Sequence, residues 1–330
     1  MKKLGNIIGL VVSLAALVWL VTKYDFGEML PHVRSASYVY LLPIPAVLMI
    51  NFLLRAIRWR MLYATGQRAA LSDFFSVMMI GNLFNNILPA RGGEFVKIYL
   101  LGKIAALSKS RILATVIVEK AADLLIAIGL LAVLLLTYPV PEWARKAGLV
   151  VAVIALCATA FIVTVGLIGE SVARRIALLA GPSPRPLFVR FEHVVRQVSI
   201  GFTGLMSPAR VVYFIGCSAV IWALEIGVMY AVACAFGLDI GPADLLFIML
   251  MILFGTMVPS SPGYIGTFEF FGLNALAVLG VAGGAALGFI VVLHAILLLG
   301  SSLIGVGCLA WRGWPRIVAT PDTDTLEGTR

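Results

Sequence analysis

A chain of 330 residues that is 61% hydrophobic and only 12% charged is not a soluble globular domain, since such domains carry about a quarter of their residues charged. The 25 Lys and Arg against 16 Asp and Glu give a formal charge of +9; here this reflects basic residues gathering in cytoplasmic loops, not nucleic-acid binding. Its long apolar runs do not alternate, which excludes a β-barrel and leaves helices as the spanning element.

The spanning elements follow in chain order. Six segments reach the ~18–20 apolar residues needed to cross a bilayer: about 4–22, 38–59, 111–137, 147–169, 209–236 and 283–311. The first has the basic start of a signal peptide, but it runs on to Trp-Leu-Val-Thr-Lys with no small-x-small cleavage site, so a retained helix is expected. Two further apolar stretches are each broken by Pro and Gly. Residues 73–88 and 92–106 flank "NNILPARGGEF", and residues 243–258 and 264–280 flank "PSSPGYIGTFEF". Each pair is expected to form a re-entrant hairpin that returns to the side it entered from.

Loop charges orient this scheme. Lys2 and Lys3, then Arg55, Arg58, Arg60 and Arg68, then Lys97, Lys103, Lys109 and Arg111 fall on the cytoplasmic side only if the first hairpin does not cross. The basic loop 170–208 is expected to hold interfacial helices, and 315–330 is a polar tail. The expected fold is an all-α polytopic membrane protein with both termini inside, six spanning helices and two re-entrant hairpins.

An internal repeat agrees with it. Gly66 precedes Asp73 by the same seven residues as Gly237 precedes Asp244, and Glu94 and Glu119 match Glu269 and His294 at one offset of 175. The halves are 1–138, with hairpin 73–106, and 139–314, with hairpin 243–280. Three crossings per half make the repeat inverted.

No P-loop, HExxH or paired Cys/His set occurs, and Cys157, Cys217, Cys234 and Cys308 lie singly in apolar runs. No metal, cofactor, disulfide framework or enzyme activity is therefore expected. The polar interruptions carry the functional signal. In the first tip, Asn82, Asn85 and Asn86 offer amides, Pro89 ends a helix, and Gly92 and Gly93 permit a tight return. Arg91 suits a phosphate or carboxylate, and Glu94 positions that Arg or binds a cation; alternatively the two only neutralise the turn. In the second tip, Pro259, Pro262, Gly263 and Gly266 shape the break. Ser260, Ser261, Tyr264 and Glu269 are candidate substrate contacts, although serines beside such a break also satisfy freed backbone groups.

Glu119 and Asp123 share one face of a spanning helix beside Lys120, and need a polar cavity or a partner such as Arg91, Lys97 or Lys120. His294 is a candidate proton relay. Arg58 and Trp59 read as an interfacial anchor, and Glu225 has no legible partner.

The stretches "NLFNNILPARGGEF", "ATVIVEKAADLL" and "PSSPGYIGTFEF" resemble the marker segments of the lysylphosphatidylglycerol synthase transmembrane-region family of flippase-like membrane proteins. The family pattern falls on Asn82, Asn86, Pro89, Arg91, Gly93 and Glu94; on Glu119, Lys120 and Asp123; and on Pro259, Pro262, Gly263, Gly266 and Glu269. The likeness runs from about residue 5 to 312. It departs at His294, where the resemblance leads one to expect Arg. In bifunctional relatives this region looks like a flippase for aminoacylated phosphatidylglycerol, while stand-alone relatives are linked with hopanoid, glycolipid or polyprenyl-phosphate pathways. No synthase domain follows Arg312 here, so aminoacyl transfer is expected to be absent. The resemblance therefore implies a lipid transporter of a bacterial inner membrane whose partners are a membrane lipid, the bilayer and lipid-biosynthesis enzymes. A lipid-modifying enzyme and a membrane scaffold are the alternatives.

Overall fold

The computed structural model describes residues 2–63, 69–88, 92–105, 107–137, 207–257 and 260–313, with scattered helical positions between 142 and 171. Among the described residues all regular structure is helical: α1 (Lys2–Lys23), α2 (Phe26–Ser35), α3 (Ile44–Met61), α4 (Leu71–Ile87), α5 (Gly93–Ala105), α6 (Lys109–Thr137), α7 (Pro208–Ala235), α8 (Pro242–Gly255), α9 (Thr267–Val278) and α10 (Gly283–Arg312). Short 3-10 turns precede α3 at Tyr38–Leu41 and α9 at Pro262–Tyr264.

Four of these stretches are long and apolar enough to cross a membrane: Tyr38–Met61, Lys109–Thr137, Pro208–Ala235 and Gly283–Arg312. They match four of the six expected spans. For the other two, Val11–Lys23 and Gly148–Phe161 are shorter apolar helices, and the rest of 147–169 lies partly outside the described residues. So do the tail 315–330 and almost all of the expected interfacial segment 170–208.

The helix starts are set by local chemistry. Pro208 and Pro242 open α7 and α8, where a missing N–H costs nothing. The Asp73 carboxylate accepts the Ala70 N–H at 2.7 Å, and that of Asp244 accepts the Gly241 N–H at 2.7 Å. The two positions aligned in the repeat thus close the first turn of their helices in the same way.

Helix α4 packs on α5 and α10; α8 packs on α9 and α6; α5 and α9 rest on α6 and α10 in turn. Helix α3 lies against α7, and α1 against α9. Lipid offers apolar helices no hydrophobic gain on association, so close backbone approach has to supply much of the packing. A Cβ on Gly93 would overlap the Gly81 carbonyl oxygen, and one on Gly305 would come within 2.6 Å of the Met79 carbonyl oxygen. Glycines thus set α4 against α5 and α10. Phe74, Met79, Leu100, Ile112 and Phe289 are fully enclosed between these helices, whereas Val133, Leu136, Val212 and Leu303 are exposed. An apolar exterior of this kind suits a hydrocarbon solvent.

Candidate functional site

Between the two helix breaks lies a cavity of about 680 Å³. The first break contributes Asn82, Asn85, Asn86, Glu94 and Lys97, and the second contributes Gly263 and Tyr264. Helix α6 adds Glu119, Lys120 and Asp123, α3 adds Asn51 and Arg55, α7 adds Glu225, and α10 adds His294 and Ser301. Phe52, Trp222, Met249 and Phe268 are among its apolar walls. A Cβ on Gly263 would sit 3.5 Å from the Asn86 carbonyl oxygen, so the two breaks meet.

Behind the charged wall lies Arg58, which is 0% exposed. Its Nη1 donates to Ser218 Oγ at 2.9 Å and lies 2.6 Å from Asp123 Oδ1, its Nη2 lies 3.4 Å from Glu119 Oε1, and the Phe214 ring centroid is 5.2 Å from Cζ. The expectation of an interfacial anchor is therefore corrected: Arg58 is enclosed by α3, α6 and α7. Trp59 is buried too, and its indole N–H donates to Thr115 Oγ1 at 3.2 Å. Position near the end of an apolar run suggested the interface, but the helix face, not the distance along it, decided the environment.

Glu225 acquires the partner its sequence position did not reveal, an ion pair with Arg55. Arg55 Nε donates to Asn51 Oδ1 at 3.0 Å, and Asn51 Nδ2 donates to the Ile221 carbonyl at 3.0 Å. Sequence reasoning missed this array, although a signal existed: Asn51, Arg55 and Arg58 are spaced four and three apart, so they form one polar stripe on a helix face. Both arginines and Lys97, expected among the cytoplasmic charges, turn inward.

Glu94 lies 3.1 Å from Lys97 Nζ and 3.5 Å from Lys120 Nζ. Arg91, its expected neighbour, lies outside the described residues, as do Pro89 and Pro259. Taken together, Arg55, Arg58, Lys97 and Lys120 face Glu94, Glu119, Asp123 and Glu225. Among the described residues of the site cation and anion numbers match, which is how charges are tolerated away from bulk water.

Other expected contacts have structural duties. Asn86 Nδ2 shares its two hydrogens among Leu298 O at 3.3 Å, Ser301 Oγ at 3.0 Å and Ser302 Oγ at 2.9 Å, tying the first break to α10. Ser260 is buried and does not line the cavity. The Ser261 N–H donates to Ser13 Oγ at 2.6 Å and its hydroxyl to the Ile265 carbonyl at 2.9 Å. Neither serine lines the cavity, and Ser261 serves the freed backbone of the turn. Gly93 is needed for close packing on α4, and the Gly92 carbonyl accepts the Phe95 N–H at 3.2 Å at the start of α5.

Glu269 stands one layer behind the cavity. Its Oε2 accepts the Gly266 N–H at 2.7 Å and its Oε1 lies 2.5 Å from His294 Nδ1, while His294 Nε2 lies 2.8 Å from the Gly263 carbonyl oxygen. Gly263, Tyr264 and Gly266 have φ of 64°, 61° and 90°. Tyr264 is a non-glycine residue in the left-handed region, a costly conformation that surrounding structure must enforce.

The architecture and the site together define a multi-pass helical membrane protein with a polar cavity lined by ion pairs between broken helix pairs. The chain belongs to the family described as the lysylphosphatidylglycerol synthase TM region, which it matches over residues 6–305. It is similar to a UPF0104 membrane protein of Methanothermobacter thermautotrophicus, 26% identical over 285 residues, covering 82% of this chain and 84% of that relative. A second UPF0104 membrane protein of the same organism is 25% identical over 300 residues, covering 82% and 83% of the two chains. No solved structure matches the chain.

Proposed function

We propose that the protein carries the polar headgroup of a membrane lipid between leaflets while the acyl or prenyl tails stay in the bilayer. The observation that carries this reading is a cavity where both helix breaks meet, furnished with paired cations and anions inside an apolar helical body. A headgroup stranded in hydrocarbon costs several kcal/mol or more. A polar cavity reduces that barrier because ion pairs and amides replace water around the headgroup. Lys97 and Lys120 suit a phosphate, and Glu94, Glu119 and Asp123 suit an amine or hydroxyl groups. Arg91 is assigned to the phosphate on its chemistry and its place in "PARGGEF" alone.

In this reading α4–α5 and α8–α9 are re-entrant hairpins from opposite faces of an inverted repeat, with both termini inside. The exchanged packing supports it: the first helix of each pair lies on the long helix of the other half, α4 on α10 and α8 on α6. Rocking of the halves about that seam would expose the site alternately. The lipid leaves chemically unaltered, the location is a cytoplasmic membrane, and enzymes that make the lipid are the natural partners. Reconstitution in liposomes with leaflet-resolved lipid labels tests the proposal; no movement of any lipid offered contradicts it.

A further inference from the structure

We infer that Glu269 and His294 form a proton-binding site that holds the second helix break in shape. The inference rests on the direction of three hydrogen bonds. A backbone carbonyl only accepts, so His294 Nε2, 2.8 Å from the Gly263 oxygen, carries a hydrogen. The other ring nitrogen, Nδ1, lies 2.5 Å from Glu269 Oε1, a distance that requires a proton between them. Whether that proton resides on the ring or on the carboxyl, the pair as a whole holds one more than a neutral histidine beside a carboxylate. The remaining oxygen, Oε2, is committed to the Gly266 N–H at 2.7 Å.

Loss of that proton sets a nitrogen lone pair against a carboxylate, and the proton passes to solvent in the cavity that His294 lines. The pair then repels where it had held. Both of its outer bonds end on the break itself, at Gly263 and Gly266, the residues flanking Tyr264 with its φ of 61°. Proton occupancy is thereby tied to the conformation of a segment that lines the cavity. The ring cannot swing freely to compensate, since it is 9% exposed and stacks on Phe268 at 4.2 Å.

Among the described residues, several titratable groups on the surrounding elements are occupied elsewhere. Asp73 of α4 pairs with Arg312, Glu225 of α7 with Arg55, and Asp244 of α8 accepts the Gly241 N–H. His32 of α2 lies beside Gly284, ten residues up α10 from His294 and so about 15 Å away. Helix α1 presents Ser13 to this break. Glu94, Lys97, Glu119, Lys120 and Asp123 share the cavity and are paired among themselves or with Arg58.

The site stands without the transport proposal; its use as a coupling proton rests on it. Glu269→Gln separates the two. The amide can donate to Nδ1 and still accept from Gly266, so it fixes the loaded geometry without a carboxylate that can take up or release a proton. The test uses full-length protein in bilayers, with His32 and His193 replaced by Gln so that one labelled histidine remains. Ring nitrogen-15 spectra are followed over about pH 5 to 9, which brackets ordinary histidine titration. The expected result is a pH-dependent change at Nδ1 with Nε2 staying protonated, absent from Glu269→Gln. A ring that titrates identically in both proteins, or one with Nε2 bare throughout, overturns the site. In parallel flipping assays, the expected result is a rate that varies with pH in wild type and not in Glu269→Gln. Absence of flipping alongside the expected spectra removes the transport reading and leaves the proton site standing.

Discussion

Arg58 and Asp123 are joined at 2.6 Å across α3 and α6, with the arginine wholly enclosed and the carboxylate at the edge of the cavity. The pair, extended by Glu119, anchors the charged wall to the scaffold. Removing the guanidinium takes away the cation closest to both acids. Arg58→Met is expected to destabilise the protein by about 3–5 kcal/mol, the usual cost of breaking a buried pair. Thermal unfolding in detergent checks it, and adding Glu119→Gln and Asp123→Asn to that variant should recover most of the loss.

Asn86 holds α10 through one amide nitrogen and three acceptors. Interhelical hydrogen bonds in membranes are worth roughly 0.6–2 kcal/mol. Asn86→Ala should lose about that much in equilibrium unfolding, and Ser301→Ala or Ser302→Ala alone should lose less, because the other acceptors remain.

Gly93 and Gly129 give a paired test of close packing. A Cβ on Gly93 runs into backbone of α4, whereas one on Gly129 meets nothing within 4 Å. Gly93→Ala should cost about 1–3 kcal/mol or more through forced separation of α4 and α5. Gly129→Ala should be neutral to slightly stabilising, through the better helix propensity of alanine. Melting temperatures of the two variants distinguish these outcomes.

Lys97 and Lys120 both reach Glu94, but their side chains are 6% and 48% exposed. The stem of Lys97 also packs on Gly81, so Lys97→Ala opens a gap beside α4 as well as removing a charge. Lys120 is the more open of the two, and a pair of that exposure is worth about 0–1 kcal/mol. Lys120→Ala should therefore leave the melting temperature nearly unchanged while lowering lipid movement about tenfold or more, the size expected if one charge-assisted contact of roughly 1.5–3 kcal/mol is lost. Unchanged transport would remove Lys120 from the site.

Much of this arrangement is legible in the sequence because membranes punish polar residues and so make them conspicuous. The two broken stretches, the matched positions of Asp73 and Asp244, and the shared face of Glu119 and Asp123 all follow from spacing. What escapes is pairing across distance. Nothing local in "NFLLRAIRW" states that Arg55 meets Glu225 or that Arg58 lies beneath Glu119, because such partners are set by how helices cross. Lys97 misled for a related reason: a basic residue near a helix end is usually wet, yet here α5 turns it toward α4. Ser260 and Ser261 sit where a substrate contact was plausible, and the turn they belong to used Ser261 first.

The central claim is that the cavity between the two breaks moves a lipid headgroup. It is tested most directly by the rate at which labelled lipids change leaflet in liposomes holding wild-type protein, Glu94→Gln protein or none. Labels are placed on zwitterionic, anionic and glycosylated headgroups in turn. The account predicts that wild type accelerates at least one headgroup class over protein-free liposomes and that Glu94→Gln, reconstituted in equal amount, does so far less. Equal rates in all three preparations for every headgroup, or equal acceleration by both proteins, would contradict it.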